Sequence, residues 1–156
     1  MFRDLMRKKQ KLSPSECKEI LKQEVRGVLA VNGDDGYPYA LPINFYFDEE
    51  SSKIYFHSGK VGHKLDAIIN SDKVSFCVYD KGYHHDGHWS LNIRSVIIFG
   101  RIRIVDDWSD KLIVNFCKRF TDDMDYIYDE IKKFKNSTVV LCLDIEHMTG
   151  KLVNEA

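Results

Sequence analysis

Residues 25–48 read VRGVLAVNGDDGYPYALPINFYFD, and this stretch decides the fold class. Two runs rich in apolar side chains flank Gly33-Asp34-Asp35-Gly36, a set of turn-forming residues. Strands joined by so short a turn are antiparallel neighbours in a sheet. The second run, residues 37–48, carries an apolar side chain at every second position on one predicted face: Leu41, Ile43, Phe45 and Phe47.

Two prolines in the second run limit how it can pair. Pro38 and Pro42 have no backbone N–H to donate to a neighbouring strand. We therefore expect this strand to lie at an edge of the sheet, or to be distorted at the prolines.

The remaining sequence predicts short strands and peripheral helices. Strands are expected at residues 53–58, 73–79, 91–105 with a bend at Gly100, and 137–145. Helices are expected at residues 14–23, after an N-cap at Ser13, and at residues 63–70. Two amphipathic helices follow from apolar residues at helical spacing, first Ile113, Phe116, Cys117 and Phe120, then Ile127, Ile131 and Phe134.

These elements predict the architecture. Strands and helices do not alternate as in βαβ units, which argues against a doubly wound parallel sheet. About six strands joined mostly by short turns favour a mainly antiparallel barrel, closed or partly closed, with peripheral helices. We expect a mainly β (α+β) fold in one domain, residues 1–156. The long strand 91–105 would leave apolar edges in water, which suggests a dimer.

Composition excludes several classes of protein. The chain of 156 residues has 23 Lys and Arg against 24 Asp and Glu, a net charge of −1, whereas general nucleic-acid binders carry a basic surplus. No apolar run approaches the ~20 residues that span a bilayer, and no apolar segment follows the basic N-terminus as in a secretory signal. The cysteines Cys17, Cys77, Cys117 and Cys142 form no C-x-x-C pair, so we expect reduced thiols and a cytoplasmic location.

Residues 56–64, FHSGKVGHK, predict an anion-binding site. A strand end leads through two glycines to a helix N-terminus, where free backbone N–H groups and the helix dipole favour a phosphate. Ser58 adds a hydroxyl donor, and Lys60 and Lys64 add positive charge. The spacing matches neither a Walker A motif nor G-x-G-x-x-G, and glycines and lysines at such a turn also occur for purely structural reasons.

The histidines outside this segment carry weaker signals. His84, His85 and His88 lie in the loop of residues 81–90, where Gly87 interrupts helical spacing and no thiolate is present, so we expect a solvated loop and no metal site. A ligand-lining role for this loop stays open. His57 ends a strand beside the anion-binding segment, either as a hydrogen-bonded structural residue or facing a ligand.

Five motifs in order support a family resemblance: GYPYALPINF (36–45), IYFHS (54–58), GHKLD (62–66), VSF (74–76) and RSVIIFG (94–100). The chain resembles the pyridoxamine 5′-phosphate oxidase-like FMN-binding split barrels, and most closely their nitroimidazole-resistance branch. The resemblance covers nearly the whole chain. It does not extend to the histidine-rich loop, whose role in substrate access stays open.

The resemblance implies a homodimer with FMN, or alternatively FAD, at the subunit interface. Residues 41–44 would lie along the isoalloxazine edge, and Ser58, His63 and Lys64 would hold the phosphate, with His57 near the ring or ribityl chain. Arg94 and Ser95 would come from the partner subunit. The implied cofactor-binding set is Leu41, Pro42, Ile43, Asn44, His57, Ser58, Gly62, His63, Lys64, Arg94 and Ser95.

Three functions follow as alternatives, since one barrel hosts several chemistries. The first is an FMN-dependent oxidoreductase that reduces small nitroaromatic compounds, with His57 as its acid or base. The second is a flavin-binding module without that activity. The third is a barrel that holds haem or another cofactor through histidine. No nucleic-acid or membrane partner is expected.

Overall fold

The computed structural model describes residues 1–155 and contains one antiparallel sheet of eight strands, curled into a half-barrel. The strands are β1 (Arg26–Asn32), β2 (Pro38–Asn44), β3 (Tyr46–Asp48), β4 (Lys53–Gly59), β5 (Lys73–Tyr79), β6 (Tyr83–His84), β7 (Leu91–Val105) and β8 (Thr138–Asn154). The helices are α1 (Pro14–Gln23), α2 (His63–Asn70), α3 (Asp110–Cys117) and α4 (Met124–Phe134). The expected antiparallel barrel with peripheral helices is confirmed.

The order of strands leaves the barrel open on one side. It runs β2-β1-β5-β7-β8-β4-β3, with β6 paired to β7 beside this path. The predicted single strand at residues 37–48 is wrong, because the chain divides at Phe45 into β2 and β3, which lie at opposite ends of the sheet. Phe45 crosses between these ends, with its N–H bonded to the Val25 carbonyl at 3.1 Å. As the prolines predict, β2 is an edge strand.

The last strand is longer than its sequence predicts. The expected end near residue 145 is wrong, since β8 continues to Asn154 along the whole length of β7. The register shifts where Phe99 pairs with His147 and Gly100 with Ile145. A Cβ at Gly100 would lie 2.1 Å from the Asp144 carbonyl oxygen, so this close approach requires glycine.

Aromatic rings and one helix fill the barrel. The buried Phe76 ring contacts Phe45 and Phe56 edge-on, each at 5.1 Å between centroids. Burial of each ring stabilises the fold by about 1.5–3 kcal/mol. Helix α1 covers one end with the buried Ile20 and Leu21, and the predicted Ser13 N-cap is confirmed as part of a capping box.

Helix α2 lies between β4 and β5 in the chain, and α3 and α4 lie between β7 and β8. Helix α2 has the predicted bounds, and it follows β4 directly through a glycine-bearing loop. The two amphipathic helices form as α3 and α4, although Phe120 lies beyond the end of α3. Among residues 1–155, none of the helices is both long enough and apolar enough to cross a membrane.

Candidate functional site

The open side of the barrel forms a pocket between edge strand β2 and β4. Its volume is about 380 Å³, and it is lined by Arg26, Pro42, Ile43, Asn44 and His57. We call it the barrel-opening pocket. Four of its five residues belong to the predicted site, although they come from strands that share no ladder hydrogen bonds.

Strand alternation decides which side chains face this pocket. On β2, Pro42 and Asn44 alternate with Leu41 and Ile43, and Ile43 is largely buried toward the core. Because β2 is an edge strand, alternate N–H and C=O groups point away from β1 and are open to a ligand. Pro42 contributes only a carbonyl. The backbone of residues 41–44 therefore offers a hydrogen-bonding edge for a flat heterocycle.

Arg26 is the residue of this pocket that sequence reasoning missed. It lies opposite Asn44 in the β1–β2 register, and its Nε donates to Asn44 Oδ1 at 2.9 Å. The hairpin turn at residues 33–36 fixes this register. Counting paired residues outward from the turn would therefore have placed Arg26 opposite Asn44. Arg26 places a guanidinium beside the β2 edge.

The anion-binding segment ends at the N-terminus of α2. Gly62 is its N-cap, with a φ of 135° that L side chains rarely adopt and without a capping side chain for the first helical N–H groups. The N-terminus can therefore accept an external anion. Burial lowers the pKa of the Lys64 ammonium. Among the described residues no carboxylate lies within ion-pair distance of Lys64. A bound anion would therefore form an ion pair with a half-buried ammonium that has no carboxylate partner.

The other members of this segment point elsewhere. The His63 ring stacks on Tyr39 with 4.3 Å between centroids, and its Nε2 lies 3.6 Å from Asp34 Oδ2. These contacts hold His63 against the β1–β2 turn. Lys60 lines a separate pocket with Asp106 and Asp107. Of the two lysines in this segment, Lys64 is the one whose positive charge lowers the pKa of His57.

His57 and Ser58 lie on opposite faces of β4. Ser58 is only 8 % exposed and faces the core, whereas the His57 side chain is solvent-accessible on the outer face. The His57 ring contacts Phe116 of α3 edge-on at 5.0 Å between centroids. Partial desolvation by neighbouring protein groups, and then the positive charge of Lys64, lower the pKa of the partly exposed His57. The lowered pKa favours the neutral imidazole, which has one N–H donor and one acceptor nitrogen.

Arg94 and Ser95 are not brought to the barrel-opening pocket within one chain. They lie in the first third of β7. His57 lies near the opposite end of β7, because it pairs with Val140 of β8, and Val140 pairs in turn with Val105, the last residue of β7. Arg94 Nε donates to the buried Asp80 at 2.7 Å, which ties the end of β5 to β7. A contribution of this pair to the site would have to come from another subunit.

The histidine-rich loop contains the short strand β6. Tyr83 and His84 pair with Asn92 and Leu91, and His84 Nδ1 lies 3.0 Å from the Ser90 carbonyl oxygen. His85 and His88 are exposed. Within residues 1–155 no group of three or more His, Cys, Asp or Glu side chains is arranged to hold a metal ion.

The pKa of His57 is open to direct measurement. We expect the ring protons of His57 to titrate below the ordinary histidine pKa of about 6.5 in an NMR experiment. Replacement of Lys64 by Gln should raise this pKa, because a nearby ammonium disfavours the charged imidazolium. Lys60→Gln is the control and should leave the titration unchanged. An unaltered His57 titration in Lys64→Gln would show that the two groups do not interact.

Comparison with known proteins places this geometry in context. A family model described as pyridoxamine 5′-phosphate oxidase matches residues 13–152. No curated protein sequence shows significant similarity to the chain.

Solved structures of low sequence identity share the fold. A Bacteroides thetaiotaomicron protein, assigned by inference to 5-nitroimidazole antibiotic resistance, is 18 % identical with a TM-score of 0.75 over 92 % of this chain and 87 % of its own. An FAD-binding protein from Mesorhizobium loti is 23 % identical with a TM-score of 0.65, and the match covers 92 % of this chain and 97 % of the Mesorhizobium protein. An FAD-binding protein from Mycobacterium smegmatis is 23 % identical with a TM-score of 0.60, and the match covers 93 % of this chain and 98 % of the Mycobacterium protein. At these identities the similarity shows the fold alone.

Proposed function

Because the chain belongs to the pyridoxamine 5′-phosphate oxidase family, we propose that it is a flavoprotein that binds FMN in the barrel-opening pocket. The proposal is based on the pocket itself, a cavity of about 380 Å³ that is bounded by the free edge of β2, Arg26 and His57. Two of the structural neighbours are described as FAD-binding proteins, which supports a flavin.

The residues present fit a flavin mononucleotide. The free backbone edge at residues 41–44 matches the donors and acceptors along an isoalloxazine ring. Lys64 and the uncapped N-terminus of α2 match one phosphate group. A single anion-binding position supports FMN over the longer FAD. Ser58 belongs to the implied phosphate set, but its side chain faces the core.

We further propose that the protein reduces small nitroaromatic compounds. A bound flavin would supply electron transfer from a nicotinamide donor to such an acceptor. Arg26 brings positive charge to the β2 edge, which favours a ring that gains negative charge on reduction. His57, whose neutral form is favoured by its lowered pKa, can give or take a proton at a ring nitrogen. The choice of nitroaromatic compounds rests on the motif resemblance and on the Bacteroides neighbour.

The absorption spectrum of the purified protein tests the flavin. Oxidised flavin bands, with FMN identified by mass after release, would support the proposal, whereas a Soret band would point to haem. Activity is tested anaerobically, by reduction of the bound flavin with NADH or NADPH and reoxidation with a nitroimidazole. A protein that is reduced but never reoxidised by the nitroimidazole would be a flavin-binding module without the proposed activity.

A homodimer with the flavin at its interface is the assembly that we propose. Ile97 and Phe99 are each 38 % exposed on the outer face of β7, and Phe2 stacks on Phe99 with 5.6 Å between centroids. Contact between two such faces would remove apolar surface from water. A second subunit is also the only source from which Arg94 and Ser95 could reach the pocket.

Sedimentation equilibrium checks this assembly. We expect a mass of twice 18.2 kDa, and Phe99→Asp should shift the protein toward monomer with loss of flavin, because an unpaired carboxylate would be buried at the interface. Tyr128→Asp, on the exposed part of α4, is the control and should leave the mass unchanged. A monomer that binds flavin tightly would contradict an interface site.

A further inference from the structure

A second cavity lies on the other side of His57, between α3, α4 and the sheet. Its volume is about 410 Å³, and we call it the aromatic cavity after its ring side chains. These are Trp108, Phe116, Phe120, Tyr126 and Phe134. Pockets of about 300–1,000 Å³ with an apolar, aromatic lining are typical of small-molecule sites.

Three of the rings at this cavity are largely open to solvent. Phe120 is 47 % exposed, Tyr126 57 % and Phe134 44 %. The deeper Phe116 is buried, and its ring lies 6.1 Å from Phe120 between centroids. Aromatic rings attract one another in offset-stacked or edge-to-face geometry at such separations. A flat ring inserted among them would cover apolar surface that otherwise faces water.

The charged side chains of the cavity already have opposite charges beside them. Lys135 Nζ lies 2.7 Å from Asp110 Oδ1 and 5.3 Å from the centre of the Trp108 ring. Glu130 Oε1 lies 3.9 Å from Lys133 Nζ. A charged ligand would have to compete with these pairs while losing its own hydration. The cavity therefore favours an uncharged ligand.

We propose that the aromatic cavity binds an uncharged, planar aromatic molecule. His57 lines both this cavity and the barrel-opening pocket, so a ligand here would lie next to the ligand of the other pocket. The assignment of the cavity to the electron acceptor rests on the proposed function. Binding of the aromatic molecule does not, because it depends only on the cavity walls.

A matched pair of fluorescent probes tests the proposal. N-phenyl-1-naphthylamine is uncharged, and 8-anilino-1-naphthalenesulfonate has the same rings with a sulfonate. We expect the uncharged probe to bind the purified protein at least ~10-fold more tightly than the sulfonate probe. The sulfonate would lose its hydration, and the cavity offers it no cation that is not already paired. Equal affinity for the two probes, or no binding of the uncharged one, would overturn the proposal.

Two tyrosines on α4 locate the probe. Tyr126 lines the cavity, whereas Tyr128 is exposed to a similar extent at 49 % and does not line it. Tyr126→Ala and Phe120→Ala should each weaken probe binding about three- to tenfold, and Tyr128→Ala less than twofold. Circular dichroism of each variant controls for folding. Equal losses in Tyr126→Ala and Tyr128→Ala would place the probe elsewhere and overturn the assignment.

Two further readouts separate the alternatives. Flavin absorbance of the same samples reports the proposed function independently, so a protein without flavin can still bind the probe. If a second copy of the chain covered the cavity, Phe120→Ala would shift the sedimentation mass, and probe binding would appear only in the monomer. That outcome would replace the small-molecule site by an interface.

Discussion

Replacement of Lys64 by Ala is expected to weaken FMN binding about 10- to 150-fold, equivalent to about 1.5–3 kcal/mol, the range for a hydrogen bond to a charged group. Lys64 carries an ammonium whose pKa is lowered by burial, and the described residues place no carboxylate beside it. A phosphate would stabilise that charge and raise its pKa. Removal of the ammonium leaves the N-terminus of α2 as the remaining anion-binding feature.

Titration of flavin-free protein with FMN, followed by flavin fluorescence, measures this loss. Lys60→Ala is the matched control, since Lys60 belongs to the same sequence segment but lines a different pocket with Asp106 and Asp107. Its affinity should stay within about twofold of the parent protein, because solvent screens distant surface charges. Equal affinity in Lys64→Ala and the parent protein would remove Lys64 from the site.

His57→Ala is expected to retain FMN while slowing reoxidation by a nitroimidazole about 10²-fold, the lower range for general acid–base catalysis. The His57 imidazole, whose pKa is lowered, lines both the barrel-opening pocket and the aromatic cavity, so it could supply the proton that accompanies electron transfer between ligands bound there. His57→Asn keeps a polar side chain of similar shape without a group that titrates near neutral pH. His57→Asn should therefore preserve the shape of the pocket without restoring the rate of flavin reoxidation.

Stopped-flow reoxidation, normalised to bound flavin, separates catalysis from structure. If His57 only supports the fold, both variants will lose flavin or stability while the rate per flavin stays near that of the parent protein. His85→Ala, on the exposed histidine-rich loop, is the control for a histidine outside both pockets. Equal rates per flavin in His57→Ala, His57→Asn and the parent protein would exclude a catalytic role.

The pH dependence of folding stability follows from the same residue. Because the folded protein lowers the pKa of His57, the unfolded chain binds its proton more readily. Acidification through the ordinary histidine pKa of about 6.5 therefore destabilises the fold.

The sequence by itself determined the features that depend on neighbours along the chain. The capping box at Ser13 and the bounds of α2 and β5 follow from local hydrogen bonding and side-chain periodicity. The prolines of β2 predicted an edge strand, because a missing N–H is a property of the residue itself. The motif order was sufficient to identify the family, which the match over residues 13–152 confirms.

Only the tertiary structure decided what meets across the barrel opening. Asn44 of β2 and His57 of β4 share a pocket because these two strands come close without pairing, and no periodicity encodes the distance between unpaired strands. The extension of β8 beyond residue 145 likewise depends on β7 as its partner, since strand pairing supplies hydrogen bonds that the local sequence does not. The aromatic cavity forms where α3 and α4 pack beside His57. Local sequence specifies the elements, but long-range packing specifies the space between them.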